Sequence, residues 1–305
     1  MLSKLINDIK TYIYGTDVFY FVAPDIDFSY PIDFTFTLKD QKFYFLPFDE
    51  LGIPCTIVSN NKVFYSPSKI AAYAFAHYRI TFLNNDYNSK DNFLNSANWF
   101  LSNEDALYFY EFDWINSDTP WISALAQGMA CSVLLRAYKL TNDKKFLIHA
   151  EKSLKPFFIL VENGGVQSRL ADGSIFLEEY PLVESSHVFN GFMFALIGLS
   201  EYVDETNSKE HTTLLKSLYV TLNKNIGLWT SSGWSLYEDP FISNGKNFST
   251  PSYHSLHITQ LKWFCLKFNS NQILEVLQSW EHSKRSFFCR FFALLGKVFF
   301  RLKKI

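Results

Sequence analysis

From about residue 68 onward, apolar side chains recur every three or four positions, the spacing of one face of an α-helix. The pattern predicts helices over 68–84, 89–102, 120–139, 142–161, 186–203, 207–225, 252–267, 270–284 and 286–303. Thr119, just before Pro120, is an N-cap candidate, because proline suits the first helical position. Thr141 or Asn142 would cap the helix that follows. Links as short as Leu140-Thr141 and Asn269-Ser270 make successive helices antiparallel neighbours. Repeated helix pairs of this kind predict a mainly α fold, an α/α toroid or incomplete barrel with an inner ring of helices wrapped by an outer one.

The first 66 residues follow another pattern. Residues 1–13 read as a short amphipathic helix. Val18–Val22, Asp33–Leu38 and Lys42–Leu46 are short, aromatic and β-branched, with turn signals between them at Pro24-Asp25, Pro31, Lys39-Asp40 and Pro47. They predict a small sheet or set of hairpins. The chain thus divides into 1–66 (helix and small β-rich segment), 67–285 (toroid) and 286–305 (a basic amphipathic helix). In the last part Arg and Lys alternate with bulky apolar residues, and no acid follows Glu281. Such a helix either packs on the domain or lies peripherally on a membrane surface.

Composition narrows the function. A net charge of −2 argues against general binding to nucleic acid, which requires a basic surface. Cys55, Cys131, Cys265 and Cys289 are scattered, with no C-x-x-C spacing for a zinc or redox motif. No metal or cofactor is expected. The first ten residues lack the apolar stretch of a signal peptide, and no segment has the length of a membrane span. The expected location is the cytoplasm, with peripheral contact at the inner membrane face. The 32 Phe and 17 Tyr chiefly predict an aromatic core, although a few tyrosines could line a saccharide cleft.

Candidate chemistry gathers in two long stretches, 163–185 and 227–251, each leading into a helix of the proposed inner ring. The first carries Glu178-Glu179-Tyr180-Pro181 and the second Leu236-Tyr237-Glu238, followed by Ser252-Tyr253-His254-Ser255-Leu256-His257. A carboxylate and several phenols in one cleft can move a proton on and off carbon. Glu178 reads as a solvated neighbour of Glu179. Asn190, near a helix start, either bonds the substrate or caps nearby backbone. Ser123 and Gln127, four apart on one helix face, line the cleft or form a helix contact. His254 and His257 form internal hydrogen bonds or touch the substrate; no third metal ligand accompanies them. Tyr65 and Tyr73 would form a sugar-stacking wall or part of the core.

Several runs resemble the D-glucuronyl C5-epimerases, the enzymes of heparan sulfate biosynthesis. They are Trp121-Ile122-Ser123-Ala124-Leu125-Ala126-Gln127-Gly128, Leu134-Leu135-Arg136-Ala137-Tyr138, Glu178-Glu179-Tyr180-Pro181, Asn190-Gly191-Phe192-Met193 and Tyr253-His254-Ser255-Leu256-His257. All stand in the family's order. The resemblance implies an α/α-toroid domain, reversible inversion at C5 of a uronic acid in a glycosaminoglycan-like polysaccharide, a homodimer, and an active site containing Glu179, Tyr180, Tyr237 and Tyr253. Chemistry adds that inversion needs a base on one ring face and an acid on the other. Glu179 and Tyr253 are expected to supply them, with Tyr180 and Tyr237 orienting or relaying. Two departures stand out. The β-rich domain that animal members carry between the first toroid helix and Trp121 is absent. The arginine that follows the family's counterpart of Tyr237 is also missing from Tyr237-Glu238-Asp239-Pro240, which leaves Arg136 and Arg169 as the nearest substitutes. A polysaccharide lyase using the same C5 deprotonation, or a non-catalytic glycan-binding protein, also fits the residues.

Overall fold

The computed structural model describes residues 9–13, 15, 19–22, 28–39, 44–57, 62–111, 120–182 and 185–303. Four helical hairpins follow one another. They are α1 (Pro67–Asn84) with α2 (Tyr87–Leu101), α3 (Ala124–Thr141) with α4 (Lys144–Leu154), α5 (Phe189–Thr206) with α6 (Lys209–Asn225), and α7 (Pro251–Phe268) with α8 (Asn271–Arg285). A last helix, α9, spans Phe287–Lys303. In space α1, α3, α5 and α7 are consecutive neighbours, and each pairs with the helix that follows it. The result is the arc of an α/α toroid, as the apolar spacing predicts.

Inner and outer helices differ in the way their surroundings demand. Helices α3 and α5 are buried on nearly every face, as an element walled in by others must be. Outer helices such as α4 and α8 bury a single stripe. Side-chain size governs the closest contact. A Cβ on Gly128 would lie 2.6 Å from Ala195 Cα, and one on Gly198 would lie 2.2 Å from the Gly128 carbonyl oxygen. Only glycine allows α3 and α5 to approach so closely.

The inner-to-outer turns repeat one device. Asn85, Asn142, Asn207 and Asn269 end the four inner helices in the left-handed conformation that asparagine tolerates. The next residue opens the outer helix, and Asp86, Asp143 and Ser270 each accept a hydrogen bond from its first-turn backbone. The predicted caps therefore move by a few residues. Asp143 caps α4, while Asn142 closes α3. Thr119 lies outside the described residues. Helix α3 starts at Ala124, because Trp121 is first held in a two-way backbone bridge to Tyr110.

Short hairpins fill the long stretches between pairs. β5 (Gln167–Arg169) pairs with β6 (Ile175–Leu177) before α5, and β7 (Thr230–Ser231) with β8 (Trp234–Ser235) before α7. Near the N-terminus β1 (Tyr20–Phe21) pairs with β2 (Ile32–Asp33), and β3 (Thr56–Ile57) with β4 (Val63–Phe64). Residues 1–8 of the predicted first helix lie outside the described residues; 9–13 are helical. The strand predicted over Asp33–Leu38 is corrected. Only Asp33 is extended, and Phe36–Lys39 form a helical turn that lets Phe34 stack on Phe75 and Phe194. Of the Lys42–Leu46 run, Lys42 and Phe43 lie outside the described residues, and Tyr44 to Leu46 form no strand. Tyr30, Phe34 and Phe45 share the main hydrophobic core with the inner helices.

Candidate active site

A cavity of about 540 Å³ opens where the N-termini of the four inner helices meet. Ser66 and Ser68 border it from the start of α1, Ser123 from that of α3, Asn190 from that of α5, and Ser252 and Tyr253 from that of α7. Aromatic rings make most of the remaining wall. Tyr110 and Trp121 stack at 4.3 Å between centroids, with Tyr180 next to Trp121 at 5.7 Å. Phe34, Phe36 and Tyr44 close the N-terminal side. Flat apolar faces mixed with hydroxyls suit a saccharide ring.

Backbone bonds place the reactive side chains. The Ala124 N–H donates to the Glu178 carbonyl (2.9 Å), tying the end of β6 to the start of α3. The Phe189 N–H donates to the Tyr237 carbonyl (3.0 Å), tying the segment after β8 to the start of α5. Thr250 caps α7 and accepts from the Tyr253 N–H. Glu179, Tyr180, Tyr237 and Tyr253 are thereby brought together. The Tyr180 and Tyr237 hydroxyls are 3.2 Å apart, and the rings of Tyr237 and Tyr253 meet edge to face at 5.2 Å.

Glu179 is 7 % exposed and reaches the cavity against the first turn of α5. Asn190 Nδ2 donates to its Oε2 at 3.0 Å. A Cβ at position 191 would lie 2.4 Å from the Glu179 Cβ, so Gly191 makes this approach feasible. Burial pushes the carboxyl up to about 7, against opposing hydrogen bonds from Tyr180 and Asn190. Burial, reinforced by the charge of Glu179, raises the hydroxyls of Tyr180, Tyr237 and Tyr253 above the ordinary phenol value. At neutral pH the site therefore holds one carboxyl close to its midpoint and three protonated phenols.

Glu178 is not solvated, which corrects the sequence reading. Neighbours in an extended segment point to opposite sides, and Glu178 points inward at 0 % exposure. Ser168 Oγ donates to its Oε1 (2.6 Å) and the His187 N–H to its Oε2 (3.1 Å). The His187 ring is buried between two carboxylates, with Nε2 3.4 Å from Glu178 and Nδ1 3.3 Å from Asp239. Asp239 is buried, which raises its carboxyl, but hydrogen bonds from His187 and the Phe241 N–H outweigh this and hold it below its ordinary value. This network ties the Glu179 strand end to the Tyr237 segment, and no sequence motif announced it.

Other expected contacts lie elsewhere. The Gln127 side chain is fully buried; it accepts from the Tyr108 N–H and donates to the carbonyls of Ala106 and Ser153, so it ties the 106–108 loop to α4 and does not line the cavity. His254 stacks on Trp234 at 3.8 Å and is held by Ser235 and the Trp280 carbonyl. Burial lowers it to about 3, so it is neutral. His257 is equally buried beside Ser235 and Phe189. Tyr73 packs on Phe45, Phe48 and His77 within the core. The Tyr65 hydroxyl donates to Asp49. Arg136 makes a bidentate pair with Glu201 at 2.8 Å beneath the rings of Phe28 and Tyr30. Arg169 is exposed and bonds the Gly173 carbonyl. Neither reaches the cavity, and no cationic side chain borders it among the described residues. No group of three His, Cys, Asp or Glu among those residues is arranged to hold a metal ion. Tyr110, Ser68 and Tyr44 were missed as wall residues, because tertiary packing alone brings them there.

An arc of helix hairpins whose inner N-termini surround a carboxylate–phenol cluster defines an α/α toroid with a candidate active site at the meeting point of those N-termini. Residues 103–282, more than half of the chain, match the family described as "D-glucuronyl C5-epimerase C-terminus", and the chain belongs to that family. It is 35% identical over 157 residues to the D-glucuronyl C5-epimerase of Caenorhabditis elegans, covering 47% of this chain and 25% of that protein. The chain thus spans about a quarter of that relative's length. Two solved structures share the fold at low identity. Cellobiose 2-epimerase from Bacillus thermoamylovorans has a TM-score of 0.56 at 11% identity, over 81% of this chain and 67% of that one. The Spirochaeta thermophila enzyme gives 0.51 at 10%, over 72% and 58%.

Proposed function

We propose that this protein inverts C5 of a uronic acid residue within a glycosaminoglycan-like polysaccharide, converting D-glucuronate to L-iduronate and back. The observation that carries the reading is Glu179, raised to about 7 in an aromatic cavity that Tyr180 and Tyr253 also line, with the Tyr237 hydroxyl 3.2 Å from that of Tyr180. A base whose midpoint lies near neutrality combines a useful ionised fraction with a strong pull on the proton. The Glu179 carboxylate takes the C5 proton, and the electron pair moves into the sugar carboxylate as an enediolate. The Tyr253 hydroxyl, at the mouth of the cavity, returns a proton to C5 from the opposite face. Solvent restores Tyr253, which is 40% exposed, and the proton on Glu179 leaves through Tyr180 and Tyr237.

The enediolate carries extra negative charge and needs aimed donors. In place of the family arginine, four helix N-termini face the cavity, each the positive end of a macrodipole. Their hydroxyls on Ser66, Ser68, Ser123 and Ser252 add polar contacts. Asn190 Oδ1, buried and without a hydrogen-bond partner among the described residues, is available to a sugar hydroxyl.

Product analysis tests the proposal. Incubation with a heparosan-type polymer, followed by depolymerisation and disaccharide analysis, is expected to yield iduronate with no change in chain length. Chain cleavage with an ultraviolet-absorbing unsaturated uronate would establish the lyase instead. Unaltered polymer that still binds would establish a non-catalytic glycan-binding protein.

A further inference from the structure

Helix α9 turns its apolar stripe away from the protein. Phe288, Phe292, Leu295, Phe299 and Leu302 follow one another in steps of four and three and so share one face. They are 72, 62, 37, 66 and 52% exposed, with Phe287 and Phe291 beside them at 59 and 42%. The opposite side holds the body of the protein. Ala293, Leu294 and Phe300 are buried there, and Gly296 meets the Phe248 ring. Arg290 Nη2 donates to the Gly15 carbonyl (2.9 Å) and Lys297 Nζ to Asn247 Oδ1 (2.5 Å). A helix adapted to water would bury its phenylalanines and hydrate its lysines. Here the basic side is anchored and the phenylalanine side is exposed, a patch that requires a partner.

Charge indicates which partner. From Lys284 to Lys303 the chain carries Lys284, Arg285, Arg290, Lys297, Arg301 and Lys303, without one Asp or Glu. Lys262, Lys284, Arg285 and Arg290 border a hollow at the start of α9, and its acid, Glu281, is already paired with Lys262 at 2.7 Å. A second copy of this helix would bring the same positive excess and repel it. A surface of anionic lipid brings the opposite charge. No helix among the described residues is long and apolar enough to cross a membrane.

We propose that α9 is a membrane-surface anchor. Its phenylalanines enter the boundary between headgroups and acyl chains, and the exposed Arg285 and Lys303 engage anionic phospholipid phosphates. The proposal is independent of the reading of the cavity, because its test uses no saccharide.

The test is co-sedimentation of the full chain with vesicles of phosphatidylcholine alone and of phosphatidylcholine mixed with phosphatidylglycerol. Binding is expected on the mixed vesicles only, weakening as salt is raised. Phe288→Ser/Phe292→Ser/Phe299→Ser should reduce it to the phosphatidylcholine level. Arg285→Gln/Lys303→Gln should weaken it roughly tenfold to thirtyfold. All five side chains are at the surface, so circular dichroism and the melting temperature should match the parent protein. A parent protein that stays in the supernatant with both vesicle types overturns the proposal. So does a dimer in sedimentation velocity that the triple serine variant splits, since α9 would then be covered by a second copy.

Discussion

Burial, more than any neighbour, sets the behaviour of Glu179. Below pH 4.5 its carboxyl is protonated in folded and unfolded chains alike. Between 4.5 and about 7 the unfolded chain ionises while the folded one keeps its proton, so stability falls over that window and then levels off. Glu179→Gln, uncharged throughout, should therefore gain on the parent protein by up to about 3 kcal/mol between those limits. Denaturant titrations at pH 4 and 8 measure the gain (both values approximate choices outside the window), and a difference independent of pH would refute the assignment. Asn190 acts in the opposite direction, because its donated hydrogen bond favours the carboxylate. Asn190→Ala should move the acid limb of the activity profile up by about one pH unit; an unmoved limb would show that Asn190 does not hold Glu179. Glu179, Tyr180 and Tyr253 stood out in the sequence as candidates through their acidic and phenolic chemistry and the family resemblance, and folding places all three on one cavity. The inward turn of Glu178 was not legible there, since its partners Ser168, His187 and Asp239 are supplied by folding. Gln127, His254 and His257 misled because a polar residue on an inner helix can be satisfied by buried backbone as readily as by a ligand.

Among the elements, the hairpins before α5 and α7 do the positioning. His187 is held at φ 47°, a left-handed conformation costly for a side chain with a Cβ. Its carbonyl accepts from Trp229 Nε1 at 2.8 Å, and its ring bridges Glu178 and Asp239. Asp239→Ala would leave that buried polar pair incomplete and should cost about 3 kcal/mol, with loss of the Tyr180–Tyr237 contact. Thermal unfolding together with a structure of the variant would check both; an unperturbed tyrosine pair would show that the network is only structural. Helix order was readable from apolar spacing, and most ends shifted by a few residues; the helix predicted over 142–161 stops at Leu154, where Lys155–Phe158, with Pro156, tighten into a 3-10 turn. The inner-to-outer turns fall at Asn85-Asp86, Asn142-Asp143, Asn207-Ser208 and Asn269-Ser270, and of these only the Asn269-Ser270 link was read from the sequence. The two-residue and three-residue strands were not readable, because such short apolar runs suit strand, turn and helix alike. Phe34–Leu38 is the example, where packing on Phe75 and Phe194 overrides local alternation.

At the scale of the whole molecule, the toroid brings four helix N-termini to one point, so a cavity with no bordering cation among the described residues still carries positive potential. Arg136, the conspicuous buried cation, braces α3 against α5 through Glu201. In the proposed reaction, charge stabilisation therefore falls to the backbone and proton transfer to Glu179 and the tyrosines. The decisive measurement is deuterium incorporation at C5 when the protein turns over a heparosan-type polymer in heavy water. Deuterium at C5 of intact chains, lost in Glu179→Gln and in Tyr253→Phe while both variants keep their fold, is the predicted result. Undiminished incorporation by either variant, or none by the parent protein on any uronate polymer, would contradict it.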